Sequence, residues 1–401
     1  MFCDLIIKGI PEISNFFNKL NINFYFTKPQ IKHLIAFVIA MMLSGYNGKM
    51  KDISELSLNT HRTNEGRFLD SDSWNEGYLL NIMQVYVIRM IKEKSRKTGL
   101  PIYVIIDDTI CEKTRPSSKA EDPINGCDFH FSHLEGKSVY GQQFVGAMLR
   151  CGDLVLPYNV VLYEKEKESK IEIAKEIIES LPKVSKGYIL TDSWYTSVKL
   201  FKTAQKKGYE YIGGFKRNRI IYPKKYKKNG ISVERFAKTL NRSDFDIVTV
   251  KGKEYYIYTY LGKINDYKGV VKVVISYPKG ALLVPKAMKS FISTDIKMSG
   301  RQLLMHYSNR WPIEVYFRES NRRLGMKECQ VRSLKAIKRY QYIVMLSYIF
   351  CGMEVEGSTV NFSKQRKKYE KQIKRYQVTW IYEQTIKKVS LEDLFKELKI
   401  A

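Results

Sequence analysis

Two short apolar runs, each rich in β-branched residues and each closed by aspartate, constrain this chain more than any other feature. Residues 102–106 read IYVII and lead into Asp107-Asp108-Thr109, while 187–191 read GYILT and lead into Asp192-Ser193. A run without polar alternation predicts a strand buried on both faces, as happens where helices cover a sheet on either side. An aspartate at the end of such a strand projects into the crevice where ligands sit in open α/β sheets. The competing reading is a capping aspartate, because Asp-Thr and Asp-Ser also open helices.

The surrounding pattern supplies the rest of a sheet. Residues 143–149 and 154–162 read as strands joined by the turn-like Arg150-Cys151-Gly152-Asp153, and the polar stretch 112–136 reads as a loop. Ile171, Ile173, Ala174, Ile177, Ile178 and Leu181 recur at helical spacing; a helix over 196–207 and a short strand over 209–215 follow the second aspartate. This order predicts a mixed α/β sheet covered by helices. Residues 1–98 have helical periodicity through 31–43 and 78–91, which suits a DNA-binding domain or a plain structural bundle. Residues 216–290 are β-rich, with alternation in 246–260 and 269–277, and 291–355 return to helix with a break at Pro312. The expected division is a helical domain over 1–98, a catalytic domain over 99–215 plus 291–355, an insertion over 216–290, and a peripheral Lys-rich segment over 356–401 with two short helices.

Charge narrows the partners. Lys and Arg total 68 against 41 Asp and Glu, a formal net charge of +27, and such a field attracts polyanions, DNA or RNA above all. No segment reaches the ~20 apolar residues that span a bilayer; LIAFVIAMML (34–43) reads as a core helix. Neither a membrane partner nor a signal peptide is expected. Six cysteines without a CxxC pair suggest reduced thiols and a cytoplasmic location. The run KRNRIIYPKKYKK (216–228) interleaves Tyr222 and Tyr226 with Lys216, Arg217, Arg219, Lys224 and Lys225, a composition for phosphate contact with some stacking, or else for a solvated loop. For Trp194 a packing role is expected ahead of base stacking. Cys127, His130 and His133 show a C-x₂-H-x₂-H spacing without an identifiable fourth ligand, so no zinc site is expected.

The third chemical element is YSNRWPIEVYFRESNRRLG (307–325). Tyr307, Arg310 and Glu314, spaced i, i+3, i+7, share one face of a continuous helix. Pro312 either bends that helix or begins a new one. The plainer reading is a surface helix with an Arg310–Glu314 ion pair.

Taken in order, IIDDT, ILTDSWYTS and YxxRWxIExxFR resemble the DDE-type insertion-sequence transposases, in particular the cut-and-paste group with a Tyr–Arg–Glu–Lys signature; the likeness spans about 100–335. The resemblance implies an RNase-H-like core interrupted by a β insertion before the glutamate. It implies Asp108, Asp192 and Glu314 as metal ligands, Asp108 being chosen because it directly precedes the threonine, with Asp107 the alternative. Tyr307 and Arg310 would then contact phosphate near the cut. The signature lysine position holds Asn321, and Arg318, Arg322 and Arg323 stand near enough to supply charge. Mg²⁺, with Mn²⁺ as substitute, suits three carboxylates and DNA phosphate. The implied partners are transposon ends and target DNA, engaged by a homodimer in the bacterial nucleoid. An inactive DNA-binding derivative and an RNase-H-like nuclease without strand transfer are the alternatives.

Overall fold

The computed structural model describes residues 11–57, 61–121, 123–132, 135–184, 186–352 and 362–398. It begins with helices α1 (Pro11–Lys19), α2 (Lys28–Met42), α3 (Met50–Leu56), α4 (Arg62–Asp70) and α5 (Glu76–Thr98). The last is 23 residues long, opened by the Asn75 side chain accepting from the Gly77 N–H and closed by Gly99 at φ 68°, the left-handed position that glycine adopts without penalty.

The sheet follows: β1 (Ile102–Glu112), β2 (Asp128–Ser132), β3 (Lys137–Cys151), β4 (Leu154–Tyr163), α6 (Lys170–Ser180), β5 (Gly187–Thr191), α7 (Val198–Lys206) and β6 (Glu210–Gly214). β4, β3 and β1 pair antiparallel in that order, and β1, β5 and β6 run parallel. The order β4-β3-β1-β5-β6, with its antiparallel-to-parallel switch at β1, is the RNase-H-like arrangement. The loop expected over 112–136 contains β2, an edge strand paired to β3. Its five residues bury only His130, so no apolar pattern announces it.

The β-rich stretch comprises β7 (Ile220–Ile221), β8 (Ile231–Ser232), α8 (Val233–Ala237), β9 (Asp246–Val250), β10 (Lys253–Ile264) and β11 (Tyr267–Pro278). It adds strands to the same sheet, because β12 (Lys289–Ser293) pairs with β6 on one side and with β11 on the other. Helix α9 (Gly300–Tyr307), a 3₁₀ turn (Ser308–Arg310), α10 (Pro312–Arg323) and α11 (Leu334–Gly352) come next, then α12 (Phe362–Ile386) and α13 (Leu391–Glu397).

Helix α2 is buried on every side from Leu34 to Met42 because it lies against α11 and α12, and α5 packs on β3 and β4. A single hydrophobic core therefore runs from Ile13 to Leu394. The C-terminal segment is correspondingly not peripheral. α12 is one helix of 25 residues, and it buries Phe362, Tyr369, Ile373 and Trp380 at helical spacing along one face. Arg339 on α11 joins the N-terminal helices to this body. Its buried guanidinium donates to the carbonyls of Phe68, Leu69, Asp72 and Trp74, filling the open end of α4. Among the described residues no helix is long and apolar enough to cross a membrane.

Candidate active site

The parallel pairing of β1 with β5 stops at Ile106 and Thr191, yet β1 continues alongside β3 to Glu112. Asp107 and Asp108 thus stand mid-strand, on the stretch of β1 that projects past the end of β5, beside Asp192. The apolar run marks where two-sided burial ends, which is not where hydrogen bonding ends. Neither residue of the pair caps a helix. Asp192 caps a turn rather than a helix: its Oδ1 accepts the backbone N–H of Trp194 (2.8 Å) and Tyr195 (3.2 Å), while Ser197 caps α7.

Consecutive strand residues face opposite sides of a sheet, and this separates the two adjacent aspartates. Asp107 lies opposite Gly146 of β3, and a Cβ on that glycine would meet the Phe317 ring of α10 at 2.8 Å. Asp107 therefore shares its face with α10, the helix of Glu314. The Arg310 guanidinium joins the two, binding Asp107 at 2.5 Å and also Glu314. Burial, with Asp192 and Asp108 adding to it against the opposing pull of Arg310, pushes the Asp107 carboxyl up to about 7. Burial works against the charge on Arg310, but Asp107, Tyr307 and Glu314 more than offset it and its pKa is raised.

Asp108 turns to the other face. Its carboxylate accepts from the Tyr195 hydroxyl (2.8 Å), from Lys170 Nζ at the start of α6 (3.1 Å) and from Gln143 Nε2 of β3. The sequence favours Asp108 as partner of Glu314; the structure instead brings Asp107 to Glu314. Gln143 belongs to the segment GKSVYGQQFV, whose part in the site no spacing rule signals.

Pro312 begins α10 as its first residue, so Tyr307, Arg310 and Glu314 do not lie on one continuous helix. The Arg310–Glu314 pair forms across the break all the same. Tyr307 packs on Phe291 with ring centroids 4.6 Å apart, and burial raises its hydroxyl pKa. The four acidic residues border a cleft of 1480 Å³ whose wall also carries Lys165, Lys170, Arg318 and Arg322. Asn321 lines it too, its Oδ1 accepting from the Cys111 thiol at 3.5 Å. Trp194 is 37% exposed: it packs edge-on against Tyr195 and beneath Lys170, and it also forms part of the cleft lining.

The basic run divides. Lys216, Arg219, Lys224 and Lys225 are exposed, although Arg219 donates to the Thr196 carbonyl. Arg217 is committed to the fold, donating to the carbonyls of Pro285, Lys286 and Met288. His133 of the C-x₂-H-x₂-H stretch lies outside the described residues. Among the described residues no three His, Cys, Asp or Glu side chains already form a metal-holding group. In the acidic site the guanidinium of Arg310 lies between two of the carboxylates.

Carboxylates gathered around Arg310 at the switch point of an RNase-H-like sheet, in a strongly basic chain, fit the class of proteins that handle nucleic acid. The family model for the transposase DDE domain matches residues 100–350, and the chain belongs to that family. No curated protein matches the sequence. Among solved structures it is similar to a piggyBac transposase in a synaptic complex with hairpin DNA, at 14% identity and a TM-score of 0.43, over 88% of this chain and 73% of that one.

Proposed function

We propose that this transposase-family chain cuts DNA at the ends of its element and joins the freed 3′-hydroxyl to target DNA, with Asp107, Asp192 and Glu314 as the metal-holding carboxylates. The observation that carries the reading is the Arg310 bridge, which ties a carboxylate of β1 to the helix of Glu314 beside Asp192. Burial pushes the Asp107 carboxyl up to about 7 against the pull of Arg310, with Asp192 and Asp108 adding to the rise, and three oxygen-only side chains suit Mg²⁺, or Mn²⁺ in its stead. Divalent ions bound by these three carboxylates would supply activation of the attacking oxygen and stabilisation of the leaving one in an in-line displacement at phosphorus. In the first step water attacks the phosphorus at the element end and the 3′-oxygen leaves; in the second, that 3′-hydroxyl attacks target DNA and displaces a target 3′-oxygen.

The protein's own side chains do the positioning. Arg310 and Tyr307 stand beside the carboxylates, where a DNA phosphate competes for the guanidinium. Arg318 and Arg322 bind backbone along the cleft, and Lys216, Arg219, Lys224 and Lys225 extend that track over the insertion. The N-terminal helices read the element ends, and two copies act on paired ends in the bacterial cytoplasm.

The test is cleavage of labelled DNA bearing the element's own ends, in Mg²⁺ and in EDTA, by the wild type and by Glu314→Ala. Metal-dependent nicking at the boundary that the variant lacks is the expected result. Asn321 favours a second reading, an inactive DNA-binding derivative, because it leaves an uncharged side chain on the cleft face of α10. Binding of the ends without cleavage in any metal, relieved by Asn321→Lys, would select it.

A further inference from the structure

The wall of the cleft opposite α10 carries a second unit that the carboxylate chemistry leaves unused. Lys170 extends from the start of α6 so that its ammonium lies 3.1 Å from Asp108, 4.1 Å above the Trp194 ring and 6.0 Å from the Tyr163 ring. Its side chain is only 12% exposed, yet it lines the cleft. Trp194 is braced edge-on by Tyr195, centroids 5.0 Å apart at 73°, and the same Tyr195 donates to Asp108.

Two features argue that Lys170 does more than neutralise Asp108. The carboxylate already receives neutral donors on both oxygens, Tyr195 on Oδ1 and Gln143 on Oδ2, so the lysine is not required to satisfy it. Lys170 is also the first residue of its helix, where a cation opposes the helix dipole. A residue that works against local preference beside a functional cleft is more readily explained by a ligand than by folding.

We infer that Lys170 and Trp194 form a clamp for one unpaired nucleotide of the DNA strand being processed. The ammonium takes the phosphate, the exposed indole stacks on the adjoining base, and Asp108 is the positioning residue that fixes the ammonium over the ring. The chemistry requires no particular base, since every base presents a π face. The clamp is tied to the chemical step because Asp192 itself holds the Trp194 backbone through its Oδ1. The inference rests on the DNA-cutting reading above.

The experiment measures binding alone, in EDTA, with a fluorescein-labelled duplex that carries a short single-stranded overhang and with its blunt counterpart, across a salt series. The wild type should prefer the overhang. Lys170→Ala should lower the log–log salt slope for the overhang duplex by about 0.7, as expected when one single-strand phosphate is no longer neutralised, while Lys170→Arg retains it. Trp194→Ala should weaken overhang binding ~10-fold and leave blunt binding unchanged, and Trp194→Phe should keep most of the preference. Asp108→Asn should reproduce part of the Lys170→Ala effect. Thermal unfolding of each variant separates misfolding from weakened DNA binding, with Lys170→Gln replacing Lys170→Ala if the latter melts early. An unchanged slope in Lys170→Ala, or an overhang preference that survives Trp194→Ala, overturns the clamp while leaving the DNA-cutting reading intact. If the wild type binds neither duplex, that broader reading fails first and the clamp with it.

Discussion

Asp107 and Asp108 are neighbours in sequence and share a strand, but they belong to different machines. On the α10 face, Asp107 sits with Arg310 and Glu314, where charge is balanced between acidic side chains and one guanidinium. On the α6 face, Asp108 is satisfied by a phenol, an amide and an ammonium. The first arrangement leaves a buried carboxyl crowded by acidic neighbours and held by a single guanidinium. The second leaves nothing wanting for the aspartate and fixes the groups around it. The difference teaches that identical side chains one residue apart acquire their chemistry from which helix covers their face of the sheet.

Exchanging charge on each face is the sharpest way to break the comparison. Asp107→Asn should abolish cleavage while end binding persists, whereas Asp108→Asn should still cleave at saturating DNA and require more DNA to saturate. The reverse ranking, in a cleavage assay run beside a gel-shift titration, would return the metal-holding role to Asp108. Gly146→Ala tests the α10 face alone. The added methyl meets the Phe317 ring, so denaturant unfolding should show a loss of ~1–3 kcal/mol and cleavage should fall with it, while the Trp194 overhang preference stays.

Acidity gives a subtler handle. The folded carboxyl of Asp107, at about 7, lies above its usual value of 3.8, so between those limits the folded protein holds a proton that the unfolded chain has released. The metal-free protein should accordingly lose stability as pH rises from about 4 to about 7, and Asp107→Asn should flatten that part of the melting-temperature profile. A profile unchanged by the substitution would remove the electrostatic distinction between the faces. The smallest effects belong to residues on neither face. Lys224→Ala with Lys225→Ala should shave the salt slope of DNA binding by about 0.9 for each phosphate left without its lysine. Arg217→Ala, by contrast, should lower stability by ~1–3 kcal/mol, because three carbonyls lose their donor.

Much of this is legible in the sequence. The apolar runs before Asp107 and Asp192 locate β1 and β5, because burial on both faces leaves its mark on every residue of a strand. Gly152, in the expected turn, closes the β3–β4 hairpin at φ 61°. The motif order identifies the family, since the acidic residue types and their order along the chain are what its members share. Less is legible where pairing carries no apolar cost. β2 is an edge strand with a single buried residue, and the length of β1 beyond Ile106 depends on β3 alone.

The sequence by itself determined the fold class, the polyanion-seeking charge, the family, and a short set of acidic candidates from three separate segments. Those properties are written in composition and in local periodicity, which the chain carries before it folds. Only the tertiary structure gave Asp107 and Asp108 different partners on opposite faces of β1, committed Arg217 to the carbonyls of Pro285, Lys286 and Met288, and set Trp194 beneath Lys170. Each of these depends on which side chain meets which across a sheet or a helix face, and residues separated by dozens to hundreds of positions meet only once the register of β1 against β3 and the seating of α10 and α6 are set.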